Sequence, residues 1–311
     1  MVQLEKISSN RVSTGTLTKY SFPSTSLSLS TQFNIFIPSS ASAQSPVPVL
    51  WYLAGLTCNE DTGAQKGGFL NSAGEQGVAV VFPDTSPRGR ACRVRRTIGS
   101  LVRTPETAAT IPPPPPLPSR AGFYINATNP KWAKYRMYDL ITKELPAVLK
   151  EANLGLDLSR MSIMGHSMGG HGALMIYLKN PGLYKSASAF APACNPSVTP
   201  WGINAFSNYL SAPAPAPSSD KEPPAEWLAY DSSHLLKQAA PGENLSVLVD
   251  VGTEDKFLKD GQLEPAKLEE AAKGKQGKVE VRLQKDFDHS YYFISTFSPE
   301  HIAFHAKALK A

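Results

Sequence analysis

A short apolar run, RMSIMG, passes directly into a helix-patterned segment, MGGHGALMIYLKN, with Ser167 at the junction and a glycine two residues to either side. Residues 160–180 therefore ask a strand to become a helix with no loop between them. So tight a bend strains the connecting residue and throws its side chain clear at the carboxyl edge of the sheet. Gly165 and Gly169 remove side chains that would collide across it. The pattern is G-x-S-x-G, the nucleophile elbow, whose serine projects into a crevice backed by a helix N-terminus. A bare match is weak, and an ordinary glycine-rich strand–helix turn is the plain alternative. The strand before and the helix after make it specific.

The rest of the chain supplies the sheet that such an elbow needs. QFNIFIP (Gln32 to Pro38) alternates polar and apolar and reads as a half-buried strand. VPVLWYL (Val47 to Leu53) and GVAVVFPD (Gly77 to Asp84) are continuous apolar runs, suited to strands covered on both faces. LSVLVDVG (Leu245 to Gly252) and KVEVRLQ (Lys278 to Gln284) read as two more, with a helical stretch from Pro265 to Ala272 between them. Lys134 to Ala152 carries apolar residues at helical spacing, with Pro146 expected to kink it or begin a second turn. SPEHIAFHAKALK closes the chain as an amphipathic helix. Strands alternating with helices predict an α/β fold, a mostly parallel doubly wound sheet flanked by helices. Residues 1–311 are expected to form one domain. Two stretches break the rhythm, Arg90 to Arg120 with its proline run and APAPAPSSDKEPP at Ala212 to Pro224. Both read as irregular, exposed loops, the first near the active-site rim.

Composition excludes several classes. Arg90, Arg93, Arg95, Arg96, Arg103 and Arg120 stand against Glu106 alone, and this one segment accounts for the whole formal charge of +5. The remainder is balanced, with no basic helix or aromatic platform, so nucleic acid is not an expected partner. The longest apolar stretch, VPVLWYLAGL, is far short of the ~20 residues that span a bilayer. The first residues lack the pattern of a secretory signal. Cys58, Cys92 and Cys194 are odd in number and have no metal-site spacing. The expectation is a cytoplasmic protein without a membrane association or a metal.

A serine hydroxyl needs a base, and the base an anion to orient it. On an elbow fold the chain order is serine, acid, histidine. The acid should follow a late strand, which directs attention to VLVDVGTEDKFL. Asp255 lies in the loop past the strand's carboxyl end, facing the crevice, whereas Asp250 lies inside the apolar run and reads as structural. Glu254 and Asp260 read as solvated loop charges. His289, in the loop after the last strand, is placed to act as the base. His301 and His305 fall four apart on the closing helix and are expected on its surface, with no carboxylate or cysteine nearby to complete a metal site. His166 and His171 read as packing or hydrogen-bonding residues, and His234 precedes the acid. The oxyanion of an acyl-transfer intermediate needs two donors, and the N–H of Met168 and the N–H of Leu56, beside Gly55 in LAGLTCNED, are the candidates. Cys58 lies three residues past Gly55, either beside the pocket or as a small buried hydrophobe.

These residues resemble a known family. LAGLTCNED, VFPDTSPRG, AGFYINATNPKWAKYRMYDLITKELP, MSIMGHSMGGHGAL, FAPACNPSVTPWGINAFSNYL and DFDHSYYFISTF are similar to the S-formylglutathione hydrolases, the esterase D family, over about Leu4 to Ala311. The resemblance implies an α/β-hydrolase fold and cleavage of the S-formylglutathione thioester to formate and glutathione, in formaldehyde detoxification. It places the catalytic triad on Ser167, Asp255 and His289, and the oxyanion donors on Leu56 and Met168. It implies no metal or organic cofactor, and a homodimer that no sequence feature here requires. Two alternatives stand beside it, a general short-chain carboxylesterase and a catalytically silent binding protein. The three triad types standing in order argue against silence. One departure bears on the site. Between DTSPRG and AGFY the family carries an acidic stretch with a Trp-Asp-Phe-Gly-type motif beside the pocket. Here RACRVRRTIGSLVRTPETAATIPPPPPLPSR stands instead, so one pocket wall is expected to be absent or rebuilt.

Overall fold

The computed structural model describes residues 4–87, 122–212 and 222–311. The expected loop at 90–120, with the wall it replaces, and most of the insertion at 212–224 lie outside the described residues. The chain starts with β1 (Glu5–Val12), β2 (Gly15–Ser24) and β3 (Leu29–Pro38), an antiparallel meander. It continues through β4 (Val47–Leu53), β5 (Ala79–Pro83), β6 (Leu156–His166), β7 (Ala187–Phe190), β8 (Leu245–Gly252) and β9 (Gly277–Gln284). The nine make one sheet in the order β1-β2-β3-β5-β4-β6-β7-β8-β9, parallel from β5 onward. β1 and β2 were not anticipated from the sequence. EKISSNRV is exposed at every residue but Val12, so it carries no apolar alternation to read.

Helices cover the parallel part. α1 (Glu60–Lys66) and α2 (Phe69–Gln76) link β4 to β5, and α3 (Met137–Asp139) and α4 (Leu145–Ala152) precede β6. α5 (Met168–Lys179) links β6 to β7. α6 (Pro200–Tyr209), α7 (Ala225–Leu228) and α8 (Ser232–Gln238) precede β8, while α9 (Lys256–Lys259) and α10 (Pro265–Ala272) lie between β8 and β9. α11 (Tyr291–Lys310) closes the chain. All seven residues of β4 are buried, as expected of a strand covered on both faces. Pro146 acts as anticipated. Residues 140–144 form a π-turn in which the Leu145 N–H reaches back to the Leu140 carbonyl, and α4 restarts with the proline in its first turn.

α11 departs from the sequence reading in two ways. It starts at Tyr291, seven residues before Ser298, and runs straight through Pro299. The proline has no N–H for the Ser295 carbonyl four residues back, and the Ser298 hydroxyl donates to that carbonyl instead, at 3.2 Å. The helix therefore keeps its buried face, where Phe293, Ile294, Ile302 and Leu309 each contribute roughly 1.5–3 kcal/mol before chain entropy is subtracted.

The second correction concerns His301 and His305, which are fully buried rather than on the helix surface. They face the sheet, because their positions fall on the same face as Ile294, Ser298 and Ile302. A carboxylate does lie beside them: His301 Nε2 is 3.1 Å from Asp250 Oδ2. Asp250 also accepts two hydrogen bonds of 2.6 Å from the Arg282 guanidinium. From His301 a line of hydrogen bonds runs through Ser188 (2.8 Å), His305 (2.7 Å) and Ser186 (2.8 Å) to Ser162 (2.8 Å). Asp250 thus anchors the closing helix to β8, as its place in the apolar run suggested. Among the described residues no group of three or more His, Cys, Asp or Glu could hold a metal ion.

The chain steps outward from β4 to β5, then jumps back across β4 to lay down β6 and continue the other way. Ligands of such sheets bind outside the carboxyl ends of the strands at this reversal. Here those ends are Leu53, leading to Gly55 and Leu56, and His166, leading to Ser167.

Candidate active site

The bend at Ser167 is built as its glycines require. Ser167 has φ 57° and ψ −119°, a conformation that ordinary side chains rarely adopt. A methyl group on Gly165 would stand 2.2 Å from the Gly169 carbonyl oxygen, and one on Gly169 would stand 1.9 Å from the Leu53 oxygen. Neither position tolerates any side chain. The turn is pinned on both sides, since the Ser167 N–H donates to the Phe190 carbonyl at 2.8 Å and its own carbonyl accepts from His171 at 2.9 Å.

Two loops bring the partners in. Gly252, at the end of β8, lies so close to the loop after β9 that a methyl there would sit 2.2 Å from the Phe287 oxygen. The Glu254 N–H donates to that same oxygen at 2.8 Å, and the Asp286 N–H donates to the Thr253 hydroxyl at 2.9 Å. The result sets Asp255 against His289. His289 Nδ1 is 2.5 Å from Asp255 Oδ2, and Nε2 is 2.9 Å from Ser167 Oγ. A carboxylate only accepts, so Nδ1 carries the proton, and in the neutral ring Nε2 is left to accept from the serine hydroxyl. The other oxygen of Asp255 is also employed, capping α9 by accepting from Phe257 (2.7 Å) and Leu258 (3.4 Å). Asp255 is fully buried with both oxygens fixed, so the imidazole has one orientation.

The structure thus brings Ser167, His289 and Asp255 together, and it sends Asp250 elsewhere. Gly55 passes against the elbow, where a methyl on it would be 3.2 Å from His166 Nδ1 and 3.3 Å from Ser167 Cβ. Leu56, partly buried, is the next residue in the chain. Met168 opens α5, where the first N–H groups have no intrahelical acceptor. Cys58 is partly exposed, 3.9 Å from the Tyr291 hydroxyl, which is also 3.0 Å from the Tyr52 hydroxyl. Cys194 is buried, while Cys92 lies outside the described residues.

Aromatic rings frame the site on both sides of the imidazole. The His166 ring lies 4.6 Å from that of His289 and 5.7 Å from that of Tyr291. It is buried, with neither ring nitrogen in a well-aligned hydrogen bond. Burial pushes its pKa well below the usual value, and the neighbouring His289 pushes the same way. A neutral His166 does not repel a proton arriving on His289. On the other side, the Phe257 ring lies 4.6 Å from His289 and stacks on Trp201. His166, Phe257 and Tyr291 each lie within two residues of Ser167, Asp255 or His289, while Trp201 comes from α6; which of them touch the imidazole is set by the folded contacts.

The doubly wound sheet and the strained serine turn define an esterase of the α/β-hydrolase class. The family model described as putative esterase matches residues 24–304. The S-formylglutathione hydrolase of Mus musculus is 43% identical over 99% of both chains, and that of Arabidopsis thaliana is 42% identical over 99% of this chain and 98% of its own. The solved S-formylglutathione hydrolase of Agrobacterium tumefaciens superposes with a TM-score of 0.82 at 38% identity, covering 98% of this chain and 99% of that one. The chain belongs to the S-formylglutathione hydrolase family.

Proposed function

We propose that this chain hydrolyses the thioester of S-formylglutathione to formate and glutathione through a formyl-serine intermediate on Ser167. The observation that carries the reading is the continuous hydrogen-bond line from Ser167 Oγ through His289 to Asp255. His289 accepts the serine proton as Oγ attacks the formyl carbon. The oxyanion takes the N–H groups of Leu56 and Met168. As the intermediate collapses, the carbon–sulfur bond breaks and His289 passes its proton to the leaving sulfur. Water then attacks the formyl ester, with His289 as base, and formate departs from Ser167. Asp255 holds the ring and balances the imidazolium in both halves. Every group comes from the chain, so no cofactor is required.

The family likeness at 42–43% identity over nearly the full chain supports the thioester over other substrates. A general short-chain carboxylesterase would use the same groups, because the chemistry is shared by oxygen and sulfur leaving groups. Comparing kcat/KM for S-formylglutathione with that for 4-nitrophenyl acetate separates the two. A preference of at least tenfold for the thioester is expected, and a preference for the ester would replace this reading with the broader one. Among the described residues no helix is long and apolar enough to cross a membrane. Three cysteines without disulfide or metal-site spacing suit a reducing cytoplasm, where formaldehyde captured by glutathione would supply the substrate.

The roles of the two late aspartates divide cleanly. Asp255→Asn should lower kcat by roughly 10³–10⁴-fold with the melting temperature little changed, because the imidazole loses its tautomer. Asp250→Asn should leave kcat within a few-fold but lower the melting temperature, since Arg282 and His301 lose a buried partner. The reversed pattern in parallel kinetics and thermal melts would exchange the assignments.

A further inference from the structure

Beside the histidine that protonates the leaving sulfur lies a groove that the catalytic line does not use. Its volume is about 510 Å³, and Lys66, Ser290, Tyr291, Tyr292 and Ser295 line it. Ser290 and Tyr291 directly follow His289 in the chain, which puts its near wall within ~4–8 Å of chain from the proton donor. Tyr291 forms the partition, because its ring also packs on His166 and its hydroxyl reaches toward Cys58. Lys66 arrives from the end of α1 because Gly68 lets that junction press onto α11. A methyl on Gly68 would be 3.0 Å from the Ser298 hydroxyl and 3.3 Å from Ser295 Cβ.

The groove has the chemistry of an anion subsite with a flat aromatic wall. Among the described residues no carboxylate lines it and none is ion-paired to the exposed Lys66. Glu60 and Asp61, at the far end of the same helix, are held by Lys19. Asp288 is the acidic neighbour, and its Oδ1 is taken up by the Ser290 N–H and hydroxyl. Tyr292 is 84% exposed, so its ring is open to a ligand in the groove.

Resting on the proposed function, we infer that this groove receives the leaving-group half of the thioester, with Lys66 pairing a carboxylate of the glutathione tripeptide. The general acid must face the sulfur, so the body of the leaving group exits past His289 and along Ser290–Tyr291. A tripeptide spans on the order of 10 Å, enough to run from the reacting sulfur into the groove. The acyl half, a single formyl group, has no use for such a volume. The groove therefore selects the thiol carrier, separately from the acyl group.

The test is steady-state kinetics of wild type, Lys66→Arg, Lys66→Gln and Lys66→Glu on two substrates, S-formylglutathione and 4-nitrophenyl acetate. Lys66→Gln should raise KM for the thioester roughly 3–10-fold at low salt with kcat little changed, and Lys66→Glu should raise it further. Lys66→Arg should restore a KM near wild type. The ester carries no carboxylate, and its constants should stay level across the series, which also reports folding. An unchanged thioester KM in Lys66→Glu overturns the subsite alone. A wild type that turns over the ester but not the thioester overturns the proposed function, and this subsite with it.

Discussion

Ser167→Ala is expected to reduce kcat on both thioester and ester by roughly 10⁴-fold or more, leaving only the rate that binding and the oxyanion donors sustain. The fold should survive, because the bend is held by main-chain bonds to Phe190 and His171 and by the absent side chains at Gly165 and Gly169. Among the described residues the serine hydroxyl bonds toward His289, at 2.9 Å. Circular dichroism and the melting temperature should therefore match wild type. Turnover within a few-fold of wild type in a folded variant would remove Ser167 from the mechanism and leave the elbow a structural turn.

How much of this was legible beforehand depends on how local each constraint is. The elbow was readable because its demands fall within five consecutive residues, from Gly165 to Gly169. Asp255 and His289 were readable because chain order and loop placement on a doubly wound sheet bring late loops to the same edge. The choice between Asp250 and Asp255 came down to whether the residue stood inside the apolar run or beyond it, and the folded contacts agree with that division. β1 was not readable, since an exposed edge strand gains its identity from pairing with β2 rather than from its own side chains. His301 and His305 were misplaced for a related reason. Helical spacing shows that they share a face with apolar residues, but a histidine is polar by type, and only partners on β7 and β8 turn it into a buried one. Phe257 and Tyr291 reach the site across tertiary contacts that no periodicity records.

The buried histidines make a further expected result, a steep loss of stability in mild acid. Burial pushes the pKa of His171 down to about 4, and pushes His166 and His305 well below the ordinary value. For His301 burial again dominates over the attraction of Asp250. Burial is the main cause in all four, and for His301 and His305 the hydrogen bonds show how the neutral rings are held. Burial would raise the Asp250 carboxyl, but hydrogen bonds from His301 and Arg282 outweigh it and bring the group down to about 2, so it stays an acceptor. His301 must then donate through Nε2, and its Nδ1 accepts from Ser188. Ser188 in turn accepts from His305 Nε2, whose Nδ1 accepts from Ser186, and Ser186 accepts from Ser162. A proton added to His305 Nδ1 would force the Ser186 and Ser162 hydroxyls to reverse their donor and acceptor roles, inside the core. Each histidine's folded pKa therefore lies below its unfolded value of about 6.5, so the unfolded chain takes up protons first and stability falls as pH drops below that point. Between pH 8 and pH 5.5 each strongly depressed ring costs on the order of 1 kcal/mol, or a few kcal/mol for His166, His171 and His305 together. That is a large share of the 5–15 kcal/mol that holds a typical domain. The paired carboxylates Asp250 and Glu144, with lowered pKa values, do not offset it, because their contribution is complete at both pH values and declines only below about pH 4.5. Urea unfolding at pH 8 and pH 5.5 should show the difference directly, and His305→Gln should reduce the pH-dependent part by about a third even if it starts less stable. Equal unfolding free energies at the two pH values would mean that these rings are charged, or solvated, in the folded protein.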